Sequence, residues 1–341
     1  MKRFASIALL VTAVVAGIVL WQRARVPTVH PTVVVYVSED QVFSEPILQD
    51  FERETGIRVQ AVYDTEETKS TGAMNRLIAE KDNPQADVYW ANEPIRAEVL
   101  KQRGIAAPYV SPNARTIPPM FRDPQGYWSG FSARARVFIV HEAVKDPPHG
   151  VRDYTDPRWN GRAVIANPLF GTTTAEIAAL FTIWGDAQGR AFLEGLKRNQ
   201  IAISSSNGES ADFVSAGRYA FALVDSDDAV NRMRHGKPVF LVYPDQEPGG
   251  LGAFIVPNAA VLIRGAPHPE AARRLIDYLL SPQTERKLAL ADCAQIPLHP
   301  GVQGPPELKP LDHIRVMPVH YADVARKLTE IQPLLRSWLG L

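Results

Sequence analysis

The stretch TVVVYV, Thr32–Val37, decides how the fold is read. An unbroken β-branched run of this kind suits a strand buried on both faces. Reading outward, Ser44 can cap a helix on which Ile47, Leu48 and Phe51 share one side, and Gly56 supplies its left-handed end. IRVQAVY (57–63) reads as a second strand, and Met74, Leu77 and Ile78 mark a second helix. ADVYWAN (86–92) is a third strand, and Pro94 opens a helix that stops at Gly104. Strand and helix alternate, which is the mark of an open, largely parallel sheet.

A second set follows a proline-rich connection. ARVFIV (135–140) and RAVIAN (162–167) read as strands. GTTTAEIAALFTIWG gives a helix with Ile177, Leu180, Phe181 and Trp184 facing inward. IAIS, ADFVSAG and YAFALV supply strand, helix and strand, and AFIVPNAAVLI reads as strands. HPEAARRLIDYLLSP is amphipathic, with Leu275, Tyr278 and Leu279 on one face, and a last helix carries Val324, Leu328, Ile331 and Leu334. Two α/β sets imply two lobes around a cleft. Ligands of open α/β sheets sit beyond the carboxyl ends of the strands, so the informative positions are 38–41, 64–71, 92–93, 167–174, 204–208 and 225–228.

Composition narrows the function classes. The 341 residues carry 37 Lys+Arg and 37 Asp+Glu, so the basic excess of a nucleic-acid binder is missing. The single cysteine, Cys293, makes no internal disulfide or cysteine-rich metal site and reads as a small buried residue. No G-x-S-x-G, H-E-x-x-H or P-loop is present, GGLGAF (249–254) lacks the strand–helix context of a dinucleotide fingerprint, and the eight histidines show no paired ligand spacing. At the N-terminus, Lys2 and Arg3 precede the apolar run FASIALLVTAVVAGIVLW (4–21), an export signal by pattern. Cleavage, with VVA at 14–16 the best site, and retention as an uncleaved anchor both stay open.

The ordered set VVVYVSE, ILQDFERETGIRVQ, NRLIAE, ADVYWANE, GFSARARVFIV, DYTDPRWNGRAVIANP and PHPEAARRLIDYLLSPQTERKLA covers nearly all of the chain after residue 32. It resembles the extracellular solute-binding proteins of ABC importers, in the ferric-iron, phosphonate and thiamine-type branch. The resemblance implies an α/β, two-lobed Venus-flytrap fold, each lobe a mostly parallel sheet flanked by helices. One lobe would comprise 32–129 and 260–290, the other 130–259 and 291–341. It implies a periplasmic or extracellular location, an ABC permease and its ATPase as partners, a small-molecule ligand, no nucleic acid and a monomer.

The resemblance also maps residues. Ferric binders of this branch keep a tyrosine pair where this chain has Asp227 and Asp228; their histidine ligand falls at Asp40, and their glutamate at Asn92 with Glu93 beside it. Every iron-ligand position therefore departs from the pattern. The family's anion site, a helix N-terminus, matches Thr172, Thr173 and Thr174, with Asn207 and Gly208 in the next loop and Ser226 beside the acidic pair.

The aspartates of FALVDSDDAV (221–230) have a plain role as caps and first-turn anions of a short helix, but three are more than capping needs. Like charges side by side call for a positive group nearby. That group is a ligand amine, a metal, or a local Arg or Lys. The threonines likewise serve equally as a plain helix start. Arg134 and Arg136, Ser38 and Glu39, and the loop with Glu66, Glu67, Lys69, Ser70 and Thr71 are further cleft candidates. Of Tyr89 and Trp90, one is expected in the core and the other on the cleft wall. No cofactor is called for, apart from a metal ion with an anion if Asp40, Asp227 and Asp228 hold one. The preferred reading is a binding protein for an aminophosphonate-like zwitterion or phosphate-bearing solute. Carboxylate-held ferric iron with an anion is the alternative, and a metal-carboxylate hydrolase or a membrane-anchored sensor domain are those of another class.

Overall fold

The computed structural model describes residues 31–64 and 71–341. The apolar leader, with its export and anchor readings, and the loop residues Glu66, Glu67, Lys69 and Ser70 lie outside the described residues.

β1 (Thr32–Val37) pairs in parallel with β2 (Arg58–Tyr63) and β3 (Val88–Ala91). Helices α1 (Gln41–Thr55), α2 (Thr71–Ala79) and α3 (Pro94–Gln102) alternate with them. The end of α1 follows the sequence reading: Gly56 takes φ 70° and its N–H bonds the Glu52 carbonyl. Its start does not. The helix begins at Gln41, and Ser44 is buried within it, with its hydroxyl donating back to the carbonyl of Asp40 at 2.9 Å. β4 (Ala106–Ala107) is a two-residue strand on the edge of β10 (Ile255–Ile263).

β5 (Ser129–His141) links the two halves of the sheet. Residues 129–135 pair antiparallel with β10, while residues 136–141 pair with β8 (Phe221–Asp225) and β9 (Val239–Val242). β6 (Ala163–Ala166) lies parallel between β8 and β7 (Ala202–Ser204). The strand order is β2-β1-β3-β10-β5-β8-β6-β7, a mixed sheet with a parallel trio at each end and antiparallel crossovers in the middle. β10 is one strand, with a register shift at Pro257/Asn258.

The helices of the second half are α4 (Gly171–Trp184), α5 (Asp186–Arg198), α6 (Asn207–Ser215) and α7 (Ser226–Arg234); α8 (Pro269–Leu279), α9 (Pro282–Leu290) and α10 (Tyr321–Leu339) complete the chain. Ile177, Leu180 and Phe181 of α4 are buried, and Trp184 is half-buried. α10 packs against both α3 and α4, so it touches both halves of the molecule. Among the described residues no helix is long and apolar enough to cross a membrane.

The floor beneath the β8 exit is aromatic. The ring of Phe221 meets those of Tyr154, Trp159 and Phe138 at centroid distances of 4.9, 5.0 and 5.2 Å. Each such pair adds about 0.5–1.5 kcal/mol beyond burial. The Tyr154 hydroxyl donates to the Val164 carbonyl and accepts from the Leu223 N–H, which pins β6 and β8 together just before the acidic residues begin. Tyr89 and Trp90 are both wholly buried, so neither walls a cleft. The Trp90 indole donates to Asn258 at 3.0 Å and the Tyr89 hydroxyl meets Ser38 at 2.9 Å. Cys293 is buried and donates its thiol to the Leu288 carbonyl.

Candidate functional site

Asp225, the last residue of β8, lies directly across from Arg136 on β5. Arg136 has no exposed surface. Its Nε donates to Glu176 at 2.8 Å, one terminal nitrogen to Asp225 and Thr172 at 3.1 Å each, and the other to Thr173 at 3.2 Å and the Leu223 carbonyl at 3.1 Å. A guanidinium has five N–H donors, and each has an acceptor here. Arg136 is therefore a structural tie between β5, β8 and α4, and it does not face the cleft.

The threonine hydroxyls are drawn into the same knot. Thr172 donates to Asp225 at 2.8 Å and accepts from Asn207 at 2.9 Å; Thr173 donates to Asn207 at 3.1 Å. Burial works to raise the Asp225 carboxyl, but Arg136, Arg134 and the Thr172 bond outweigh it and hold the group below the usual carboxylate range. Burial raises Glu176 despite Arg136 beside it.

Arg134 sits two residues earlier on β5 and so shares a face with Arg136. It is buried, its guanidinium lies 3.8 Å from Asp225, and it donates to the backbone carbonyl of Asn92, at the exit of β3. Its Nε is buried without a partner among the described residues. Burial opposes its charge, yet Asp225, Glu39, Asp227 and Asp40 hold the side chain protonated.

Asp227 and Asp228 occupy the first turn of α7. Burial is the largest force on each. Asp227, with Arg134 opposing and Asp225 and Asp40 adding repulsion, is pushed up to about 6. Asp228 is pushed well above the ordinary carboxylate value by burial, then by Asp227 and Asp225, with Arg232 3.7 Å away as partial relief. One oxygen from each of Asp225, Asp227 and Asp228 lies within 4.8 Å of the others, a spacing a cation could bridge.

These groups surround a cavity of about 230 Å³. Asp40 and Asn92 line it from the β1 and β3 exits; Arg134, Asn167, Thr172, Thr173, Asn207, Asp225, Asp227 and Asp228 line it from the other half. Of the residues the resemblance maps, Asp40, Asn92, Thr172, Thr173, Asn207, Gly208, Asp227 and Asp228 are thus brought together. Thr174 and Ser226 are not in the lining. Thr174 is fully buried one turn into α4, and Ser226 is fully buried because its hydroxyl accepts the Ala135 N–H at 3.1 Å, tying α7 to β5. Glu93 is also absent, because it is the cap of α3 and accepts the N–H groups of Ile95 and Arg96. Thr71 begins α2 and accepts from Arg96. Ser38 and Glu39 are buried outside the lining. Arg134 and Asp225 carry more of the site than the sequence reading gave them; the signal was an Arg-x-Arg alternation on one strand facing the first aspartate of another.

Among the described residues no tyrosine lines the cavity. The N–H groups of the first turn of α4, at Gly171, Thr172 and Thr173, have no partner within the helix and border the same space, as do those of Asn207 and Gly208 at the start of α6. The cavity therefore brings together two kinds of group: amide donors with a buried guanidinium, and a pair of carboxylates.

A fold of two halves joined through β5, with strand exits from both around one polar cavity, defines a cleft binder of small solutes. Residues 32–289 match the family model of bacterial extracellular solute-binding proteins, and the chain belongs to that family. It is the substrate-binding component of an ABC importer, a class that works with a permease and an ATPase and transports small ligands without transforming them. The chain is 27% identical over 307 residues to iron uptake protein A1 of Synechocystis, covering 84% of this chain and 82% of that one. It is 25% identical over 242 residues to a Salmonella typhimurium protein named for periplasmic 2-aminoethylphosphonate binding, covering 70% and 69%. Iron-bound HitA from Pseudomonas aeruginosa superposes with a TM-score of 0.79 at 22% identity, over 89% of this chain and 99% of that one. That likeness establishes the two-lobed fold. The Salmonella relative is named as a periplasmic binding protein.

Proposed function

We propose that the cleft captures a small zwitterion, an amine joined to a phosphonate or similar anion, and presents it to the permease. The observation that carries this reading is the placing of Arg134, with its unpartnered Nε, and of Asp227 and Asp228 in one cavity of about 230 Å³. The anion would take the amide groups at the starts of α4 and α6 together with Arg134, because helix N-termini and guanidinium groups both favour negative charge. The amine would lie against Asp227 and Asp228, with Asp40 and Asn92 closing from the other side. A relative named for 2-aminoethylphosphonate supports the same class of ligand. The lobes would be 32–129 with 260–290, and 130–259 with 291–341, closing about β5 and β10 in an exported monomer.

A second reading has one specific observation in its favour. The three carboxylates within 4.8 Å suit a hard cation with an accompanying anion, and one relative is named for iron uptake. Against it, Asp225 is already committed to two arginines, and a guanidinium 3.8 Å away repels a metal ion. Calorimetric titration with 2-aminoethylphosphonate, phosphate and ferric citrate separates the two. The zwitterion is expected to bind more tightly than phosphate; heat from ferric citrate alone overturns the proposal.

A further inference from the structure

Glu285 and His299 form a buried pair outside the cleft lining. Glu285 is wholly buried on α9 and gathers four donors: the N–H of Ser132 at 2.8 Å, those of Leu298 and His299, and the His299 ring Nδ1 at 2.8 Å. The other ring nitrogen, Nε2, lies 3.0 Å from the Asn113 carbonyl. Both neighbours of the ring are acceptors. A neutral imidazole has one N–H and satisfies only one of them. The Glu285 oxygens already accept from the N–H groups of Ser132, Leu298 and His299, so the carboxylate acts as an acceptor toward the ring and the shared proton belongs on Nδ1. The geometry fits an imidazolium with two donors, and the pair also holds the His299 pKa above its ordinary value, although burial works the other way.

The position of this pair gives it leverage. Ser132 lies in β5, the strand that runs through both halves, and takes φ 39°, a left-handed conformation costly for a residue other than glycine. Its N–H is held by Glu285 and its carbonyl by Asn258 at 2.7 Å, at the register shift of β10. Asn258 also donates to Gln295, which donates to Glu39, the neighbour of Asp40 in the cleft. An unbroken set of buried hydrogen bonds therefore runs from His299 through the bend in β5 to the cleft edge.

We propose that Glu285 and His299 are positioning residues for ligand capture: an imidazolium–carboxylate clasp that fixes the bend of β5 at Ser132 and so sets the balance between open and closed lobes. The proposal rests on β5 being a strand about which the lobes move. The charged and polar groups facing the ring are Glu285 from α9 and the Asn113 carbonyl; Lys309 and Asp312 line the same apolar groove farther along. Because the clasp raises the ring pKa, its contribution is full below the ordinary histidine value. It is lost as pH rises through the raised value.

The test uses ligand-free protein first, which makes it independent of what the cleft binds. Histidine-labelled NMR is expected to show His299 titrating above the ordinary value of about 6.5. Small-angle scattering across that titration is expected to show the wild type opening while His299→Gln, which is neutral throughout, stays constant. A His299 ring that titrates at or below the ordinary value, or identical scattering in both proteins, overturns the clasp. Titration with 2-aminoethylphosphonate then reads the coupling: at least about fivefold change in affinity across the His299 titration, absent in His299→Gln. A change tied to Asp227, near pH 6, persists in that variant and so is told apart. Glu285→Gln, should it fold, is expected to lower the His299 pKa, and an unchanged value counts against the pair.

Discussion

Arg136 and Arg134 stand two residues apart on one strand, face the same aspartate, and are both buried, yet they belong to different regions of the molecule. Around Arg136 every donor has an acceptor. Around Arg134 one donor is unmatched among the described residues, and two neighbouring carboxylates are pushed toward protonation. The same residue types build structure in the first region and leave interaction capacity in the second. Charge count does not separate the two; the completeness of pairing does.

The sharpest way to break this comparison is to remove Arg136. Arg136→Met leaves Glu176 and Asp225 buried without their cation and is expected to cost about 3–5 kcal/mol in urea unfolding. Adding Asp225→Asn and Glu176→Gln should recover most of that loss. A single variant that unfolds near the wild-type midpoint would show that the knot is not held by matched charge.

Removing a group from the unmatched region should do the reverse. Asp227→Asn relieves repulsion against Asp225 and Asp228, so thermal stability is expected to hold or rise. Affinity for 2-aminoethylphosphonate is expected to fall about tenfold to a hundredfold, the worth of a hydrogen bond to a charged group. Lower stability with intact binding would move Asp227 into the structural region.

The pH dependence sharpens the same contrast by a smaller margin. Asp227 has a folded pKa of about 6, above the ordinary value. The folded state therefore holds this proton more tightly than the unfolded one, and stability falls as pH rises from about 4 to about 6. Amine binding needs the ionised carboxylate, so affinity should rise through the same window. Asp225 is depressed, and its contribution is present above the ordinary carboxylate value and lost as pH falls through its lowered one. Calorimetry between pH 5 and 7.5 that shows flat affinity would remove Asp227 from the ligand contacts.

Much of this was legible in the sequence. Continuous apolar runs such as TVVVYV and the placing of Gly56 gave strands and helix ends, because those signals are local. The acidic exit of β8 and the polar start of α4 were visible as a cluster for the same reason. What stayed hidden depends on pairing across long separations. Arg136 and Asp225 are 89 residues apart, and nothing local tells that one arginine of Arg-x-Arg is saturated while the other is not. Ser44 read as a cap because its type favours caps, whereas the helix had already begun three residues earlier. His299 looked like one scattered histidine among eight, since its partners come from Glu285 and from Asn113, 186 residues away.

The threonines of α4 carry the comparison to its finest scale. Thr172 gives its hydroxyl hydrogen to Asp225 and accepts from Arg136 and Asn207, so Thr172→Val removes three bonds from a buried charged knot. A loss of about 1–3 kcal/mol is expected in urea unfolding. Thr174, two residues on, is just as buried, but its hydroxyl has no partner among the described residues. Replacing an unsatisfied buried hydroxyl by a methyl of similar shape removes an unmet demand and leaves packing intact, so Thr174→Val is expected to be neutral or to stabilise by less than about 1 kcal/mol. Because Thr174 is outside the cavity lining, ligand affinity should not move. A weakened affinity in Thr174→Val would mean that the start of α4 shifts on closure and brings this hydroxyl to the ligand, and the boundary between the two regions would then lie one turn deeper in the helix.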